Sequence, residues 1–257
     1  MLPSLSSSTK LAAVPEAPQE HPDVEYIALS SDSDIAPVVA NNSIMGLDEQ
    51  FSKPEGRNGD NAAGVTAYAS VGVFLVSTWV ILFANDPSSL GWYFWHPLLN
   101  SAAIPTSQPR TKAAGLARHQ LSMLIIGFPL IFMGTFAIFY NKILHNGNHF
   151  VTWHASFGLL CIVWIVAQII IGGGSVWFQG RLFGGFPNAK LLWKYHRISG
   201  YLLFPIMLFT AYLAGAWSSW TTSHVPLVVR LVAFIIAPAV LAISIFSRLR
   251  PSKLGIM

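Results

Sequence analysis

Hydrophobic and polar positions divide the chain sharply near residue 62. Upstream, Ser, Pro, Asn and acidic residues show neither the 3.6-residue period of an amphipathic helix nor the alternation of a strand, which predicts a disordered cytosolic tail over 1–62. Downstream, apolar runs cover roughly Gly64 to Ala84, Leu90 to Ile104, Gln120 to Tyr140, Thr152 to Gly173, Ile198 to Trp217 and Val225 to Phe246. Five of the six reach the ~20 residues that a helix needs to cross a bilayer core. The second, with about 15, would make a helix of ~22 Å against a core of ~30 Å, and Pro97, Pro105 and Pro109 limit its regularity. The pattern predicts an all-α membrane protein, a six-transmembrane-helix bundle over 63–248 followed by a short cytosolic tail over 249–257. The tail over 1–62 lacks the basic-then-apolar order of a signal peptide and is expected to be retained. Its EYIALSSDSD stretch resembles a docking or phosphorylation site, but such patterns arise often by chance and a solvated tail accounts for it better.

Composition agrees with a membrane protein: 53% of the 257 residues are hydrophobic and 10% charged. Charge then sets the orientation. Lys10, Lys53 and Arg57 precede the first segment; Arg110, Lys112 and Arg118 lie between the second and third; Arg181, Lys190, Lys194 and Arg197 between the fourth and fifth; Arg248, Arg250 and Lys253 at the end. Only Lys142 and Arg230 fall on the alternate side, so the positive-inside rule places both termini in the cytosol. Seven of the nine tryptophans sit near segment ends, as interfacial anchoring requires.

The acidic residues exclude several chemistries. Ten of the eleven lie between Glu16 and Asp60 and the last is Asp86, so the membrane portion has no carboxylate pair, proton relay or acidic cation cage. The single cysteine, Cys161, can build no disulfide within the chain.

Four histidines supply the candidate chemistry. His96 (WYFWHPLL), His119 (LARHQLSM), His154 (VTWHASFG) and His196 (WKYHRISGY) stand at or near the starts of the four middle segments. Alternating helix direction puts His96 with His154 on the non-cytosolic side and His119 with His196 on the cytosolic side. Two facing imidazoles are what a bis-histidine haem needs, and two pairs imply two haems stacked across the membrane. Gly158 and Gly200 follow His154 and His196 by four residues, on the same helical face, where a glycine leaves room for a macrocycle. A lone interfacial histidine is more often a hydrogen-bonded or headgroup residue; four in register change that balance. His21, His145, His149 and His224 lie in the tail or in loops and fit the ordinary role.

The sequence resembles the cytochrome b561 family, in its branch of b561-domain-containing proteins, over roughly Val65 to Ser247. The resemblance rests on WHP, the arginine-histidine of the third segment, TWH followed by Gly158, and YH followed by Ser199 and Gly200. It implies a four-helix haem-binding core with two haem b groups per chain, their iron bound by His96 with His154 and by His119 with His196. It also implies an ascorbate-dependent transmembrane oxidoreductase that passes electrons from cytosolic ascorbate or a related reductone to monodehydroascorbate or a ferric chelate. Lys112, Arg118, Lys190, Lys194 and Arg197 flank the cytosolic histidines; they serve either as orientation charges or, by the resemblance, to meet haem propionates or the ascorbate anion. Lys194 and Arg197 are the closest in sequence to His196. Lys142 and His149 are candidates to meet an anion on the opposite side. Expected partners are membrane lipid and a second copy of the chain, and not nucleic acid.

The second segment departs from that pattern, since His96 and His119 are separated by only 23 steps, fewer than the family has. Either about four helical turns are missing after Ala103, through a deletion or a misread gene, or Thr106 to Leu116 also enters the bilayer. The departure bears first on His96, and leaves open a single-haem or non-catalytic descendant of the family. A metal-binding transporter is the remaining alternative, although its histidines would be expected at several depths of one helix face.

Overall fold

The computed structural model describes residues 58–103 and 112–249. Most of the tail predicted over 1–62, the stretch 104–111 and the C-terminal residues from 250 lie outside the described residues. Within them the fold is all-helical, with no strand, and five helices are long and apolar enough to cross a membrane.

Six principal helices follow one another: α1 (Asp60–Ala84), α2 (Trp92–Ala102), α3 (Gly115–Leu144), α4 (Trp153–Val176), α5 (Phe186–Trp217) and α6 (Leu227–Ser247). All but α2 reach crossing length. With 11 residues, α2 is shorter still than the segment expected over Leu90 to Ile104, and it extends only about 16 Å. Gly91 in a positive-φ conformation opens it, just after a single helical turn over Pro87–Leu90. The carboxylate of Asp86 caps that turn by accepting from the Ser88 hydroxyl and amide, bonds that hold its pKa below the usual carboxylate range.

The hydroxyl side chains of α1 show how polar groups are carried through an apolar helix. The hydroxyls of Thr66, Ser70 and Thr78 on α1 each donate to the carbonyl four residues earlier, so none is carried bare into lipid. Two helices widen to π-turns, Leu121–Gly127 in α3 and Val232–Ile236 in α6, and each widening ends two residues before a proline, Pro129 or Pro238. Proline lacks an amide hydrogen and its ring displaces the carbonyl four residues back, and a wider turn absorbs both effects.

One difference from the sequence reading concerns α5. Residues 186–197 read as part of a cytosolic loop, yet they form the first three turns of a helix of 32 residues, about 48 Å long. Pro187 at its start pre-sets the helical φ, and Ala189, fully buried, packs on Gly180 of the preceding 3-10 turn over Trp177–Phe183. The basic residues there outweighed the helical pattern that Ala189, Leu192 and Trp193 carry.

Packing is pairwise. α1 lies along α6, α2 along α3, and α4 along α5, whereas α3 and α4 meet in only a few places. The densest core joins α1, α5 and α6 through Phe74, Ile81, Ala216, Ala233, Phe234 and Ala237, with Phe74 and Phe234 edge to face at 5.8 Å. Gly215 is required there, because the Phe234 ring occupies the space that a side chain at 215 would fill. Arg230, at the start of α6, donates to the carbonyls of Val225 and Ala216, closing the C-terminal end of α5.

Candidate functional site

The four middle helices bring the four sequence-predicted histidines together in two pairs. His96 of α2 and His154 of α4 have ring centroids 5.7 Å apart, and His119 of α3 and His196 of α5 have centroids 6.1 Å apart. Each pair reaches across the sparsely packed gap between the α2–α3 and α4–α5 layers.

The first pair is fixed from behind on both sides. Thr152 caps α4 by accepting from the Ala155 amide, which sets where the helix begins and hence the depth of His154. His154 Nδ1 donates to the main-chain carbonyl of Thr210 on α5 at 2.9 Å, and His96 Nδ1 donates to that of Gly134 on α3 at 3.0 Å. A carbonyl can only accept, so in each neutral ring the proton sits on Nδ1 and Nε2 presents a lone pair. Those two Nε2 atoms face each other at 3.4 Å. Neither can donate to the other, so the arrangement has no purpose as a hydrogen bond. Two facing lone pairs are a donor set that would fit a metal ion taking both imidazoles as ligands.

Asn100, one turn after His96, lies with its amide 3.3 Å from His96 Nδ1 and its oxygen buried without a partner. Because Nδ1 already donates to Gly134, the amide oxygen is the end that belongs toward the ring. Gly134 makes this possible: a Cβ there would run into the Asn100 amide and stand 3.1 Å from the His96 carbonyl.

At the second pair, Gly172 of α4 meets the His196 ring. A Cβ at 172 would stand 2.6 Å from Cε1 of that ring. Gly200 leaves its space to the amide of Gln168, 3.2 Å from where its Cβ would be, whereas Gly158 faces open space, with only Thr210 Cγ2 near at 3.9 Å. Trp164 Nε1 donates to Ser199 Oγ at 2.6 Å, tying α4 to α5 between the two levels.

Thr210, Gly134, Gly172 and Asn100 escaped the sequence reading. The first two act through main-chain carbonyls, which leave no trace in residue type. Asn100 stands at the i+4 position of His96, and Gly172 opens the Gly172–Gly174 run, but neither spacing shows which helix lies opposite.

Lys190, Lys194 and Arg197 recur at i, i+4 and i+7 on α5 and form one exposed stripe, about 130° around the helix from His196. Arg118 is exposed beside His119. At the opposite end of α3, Lys142 donates to the Asn148 carbonyl at 2.7 Å and so braces the α3–α4 loop, where the His149 and Phe139 rings meet at a tilt with centroids 4.5 Å apart. His145 and His224 bond to carbonyls four residues back in their own helices, the local role expected of them.

The eukaryotic cytochrome b561 family matches residues 95–222, from the tryptophan before His96 to beyond the end of α5. The chain belongs to that family. No curated protein and no solved structure matches it. Cytochromes b561 are haem b oxidoreductases of membranes, and transmembrane electron transfer is the activity the family indicates. In this cytochrome b561 the matched region spans all four paired histidines, and its five long apolar helices make it an integral membrane protein.

Proposed function

We propose that this cytochrome b561 carries electrons across its membrane through two haem b groups, one held by His96 and His154 and the other by His119 and His196. The observation that carries the reading is the meeting of two proton-free Nε2 atoms at 3.4 Å, each ring tethered from behind by a carbonyl of another helix. Such outer contacts fix tautomer and ring plane and strengthen an imidazole as a ligand. The sparse packing between α3 and α4 favours a planar group inserted between the layers, Gly158 leaves open space, and Gly172 gives the His196 ring its place.

Haem b, when bound, supplies the one-electron redox centre. The chain supplies the ligands, the apolar surroundings that exclude water, and the separation of the two sites across the bilayer. The positive-inside distribution puts His119 and His196 toward the cytosol, with both termini on that side. There Arg118, Lys190, Lys194 and Arg197 favour an anionic reductant, ascorbate or a related reductone. On the opposite face the acceptor is monodehydroascorbate or a ferric chelate. The short α2 does not remove His96 from the pair, which favours two haems over a single-haem or non-catalytic chain. Each site offers two nitrogens, fewer ligands than a transported divalent ion would require.

The test is a reduced-minus-oxidised spectrum of the purified protein with haem counted per chain, ascorbate being added before dithionite. Two haem b groups, reduced at least in part by ascorbate, are expected. A haem-free protein overturns the reading, and one haem that survives His96→Ala removes α2 from it.

A further inference from the structure

Gln168 lies on α4 within the apolar span and is only 9% exposed. Its Nε2 donates to the His196 main-chain carbonyl at 3.0 Å, and since that oxygen only accepts, the orientation of the amide is settled. Oε1 is therefore the buried atom left without a partner, and His196 Nδ1 is a second one. One is an acceptor. The other, when Nε2 serves as ligand, is a donor.

Both belong to the same crossing of α4 and α5. Gly172, one turn beyond Gln168, lies against the His196 ring, with Nδ1 3.2 Å from where its Cβ would be, and Gly200, one turn beyond His196, gives the Gln168 amide its place. Two glycines thus hold an amide and an imidazole side by side inside a membrane helix pair. Leaving either polar atom bare there would cost about 1–3 kcal/mol, with no bulk water to relieve it. The comparison with the other pair is pointed: His96 and His154 each have a main-chain carbonyl behind them, and His196 has none.

We infer that Gln168 Oε1 is the acceptor for His196 Nδ1–H, reached through one buried water held between them. A single water donates to the oxygen and accepts from the ring, satisfying both groups, as buried waters commonly do. Gln168 is then a positioning residue for His196 and sets the electron affinity of that site alone. The inference rests on the haem reading proposed above.

Its test is a redox titration of the purified holoprotein followed optically and by electron paramagnetic resonance, with His196→Ala marking which signal belongs to this site. Gln168→Leu removes the acceptor. With loss of that contact favouring the reduced haem by about tenfold, its midpoint rises by about 59 mV while the other stays. Gln168→Glu keeps an oxygen, so its midpoint remains at or below the starting value. Should the leucine variant fail to fold, Gln168→Met repeats the loss with a flexible side chain. Unmoved midpoints in Leu or Met, or an equal rise in Glu, overturn the assignment. A map of the holoprotein is expected to show one water bridging Oε1 and Nδ1; dry space overturns it. A wild type that binds no haem fails the underlying reading instead, and shows as an absent spectrum.

Discussion

His96 Nε2 stands 3.4 Å from His154 Nε2, across two helices 58 residues apart in the chain. With both Nδ1 atoms committed to carbonyls, the contact places two lone pairs nose to nose, which a folded protein tolerates when a cation joins them.

Replacing His154 by Ala should therefore cost one haem per chain and leave the other, with the surviving low-spin signal matching the one that His196→Ala removes. Haem content by alkaline pyridine assay, read beside the resonance spectrum, checks this. An unchanged count in either variant would sink the pairing.

Gly134→Ala should act on the same site from outside it. The added methyl meets the Asn100 amide and crowds the His96 carbonyl, and overpacking of that kind costs about 1–3 kcal/mol. Because α2 is short and leans on α3, it is the element that gives way. We expect weaker retention of one haem during dilution, with the His119–His196 signal intact.

Gly172→Val should do the reverse. The new side chain falls on the His196 ring, so the signal lost is that of the second pair. Comparison with His196→Ala decides it; loss of the first-pair signal would contradict the geometry.

Neutralising Lys194 and Arg197 together, as Gln, should raise the KM for ascorbate several-fold and flatten its dependence on ionic strength, with haem content unchanged. Their stripe lies away from the His196 face, so a charge effect is expected and a ligand effect is not. Stopped-flow reduction at two salt concentrations separates the two.

Much of this architecture was legible in the chain. Run length marked the five crossing helices, and the register of His96, His119, His154 and His196 marked the paired levels. The extension of α5 was obscured because its lysines read as loop charges, although Pro187 and Ala189 support a helix. Gly134, Thr210 and Gly172 were hidden for a different reason. Each matters through what another helix places against it, and the spacing within one segment carries no record of its neighbour.

The π-turn over Leu121–Gly127 has a consequence for where α3 can lose a residue and keep its register. A turn of that kind holds one surplus residue, and a helix can give it up by closing to ordinary α geometry. A one-codon deletion there would leave every histidine in the chain and the helix unbroken. It would leave His119 close to its present phase, whereas a one-residue deletion in the ordinary α-helical stretch Phe128–Leu144 would rotate what precedes it by about 100° relative to the rest. The helix thus carries slack at the turn and none beyond it, a difference that an inventory of ligands would not detect.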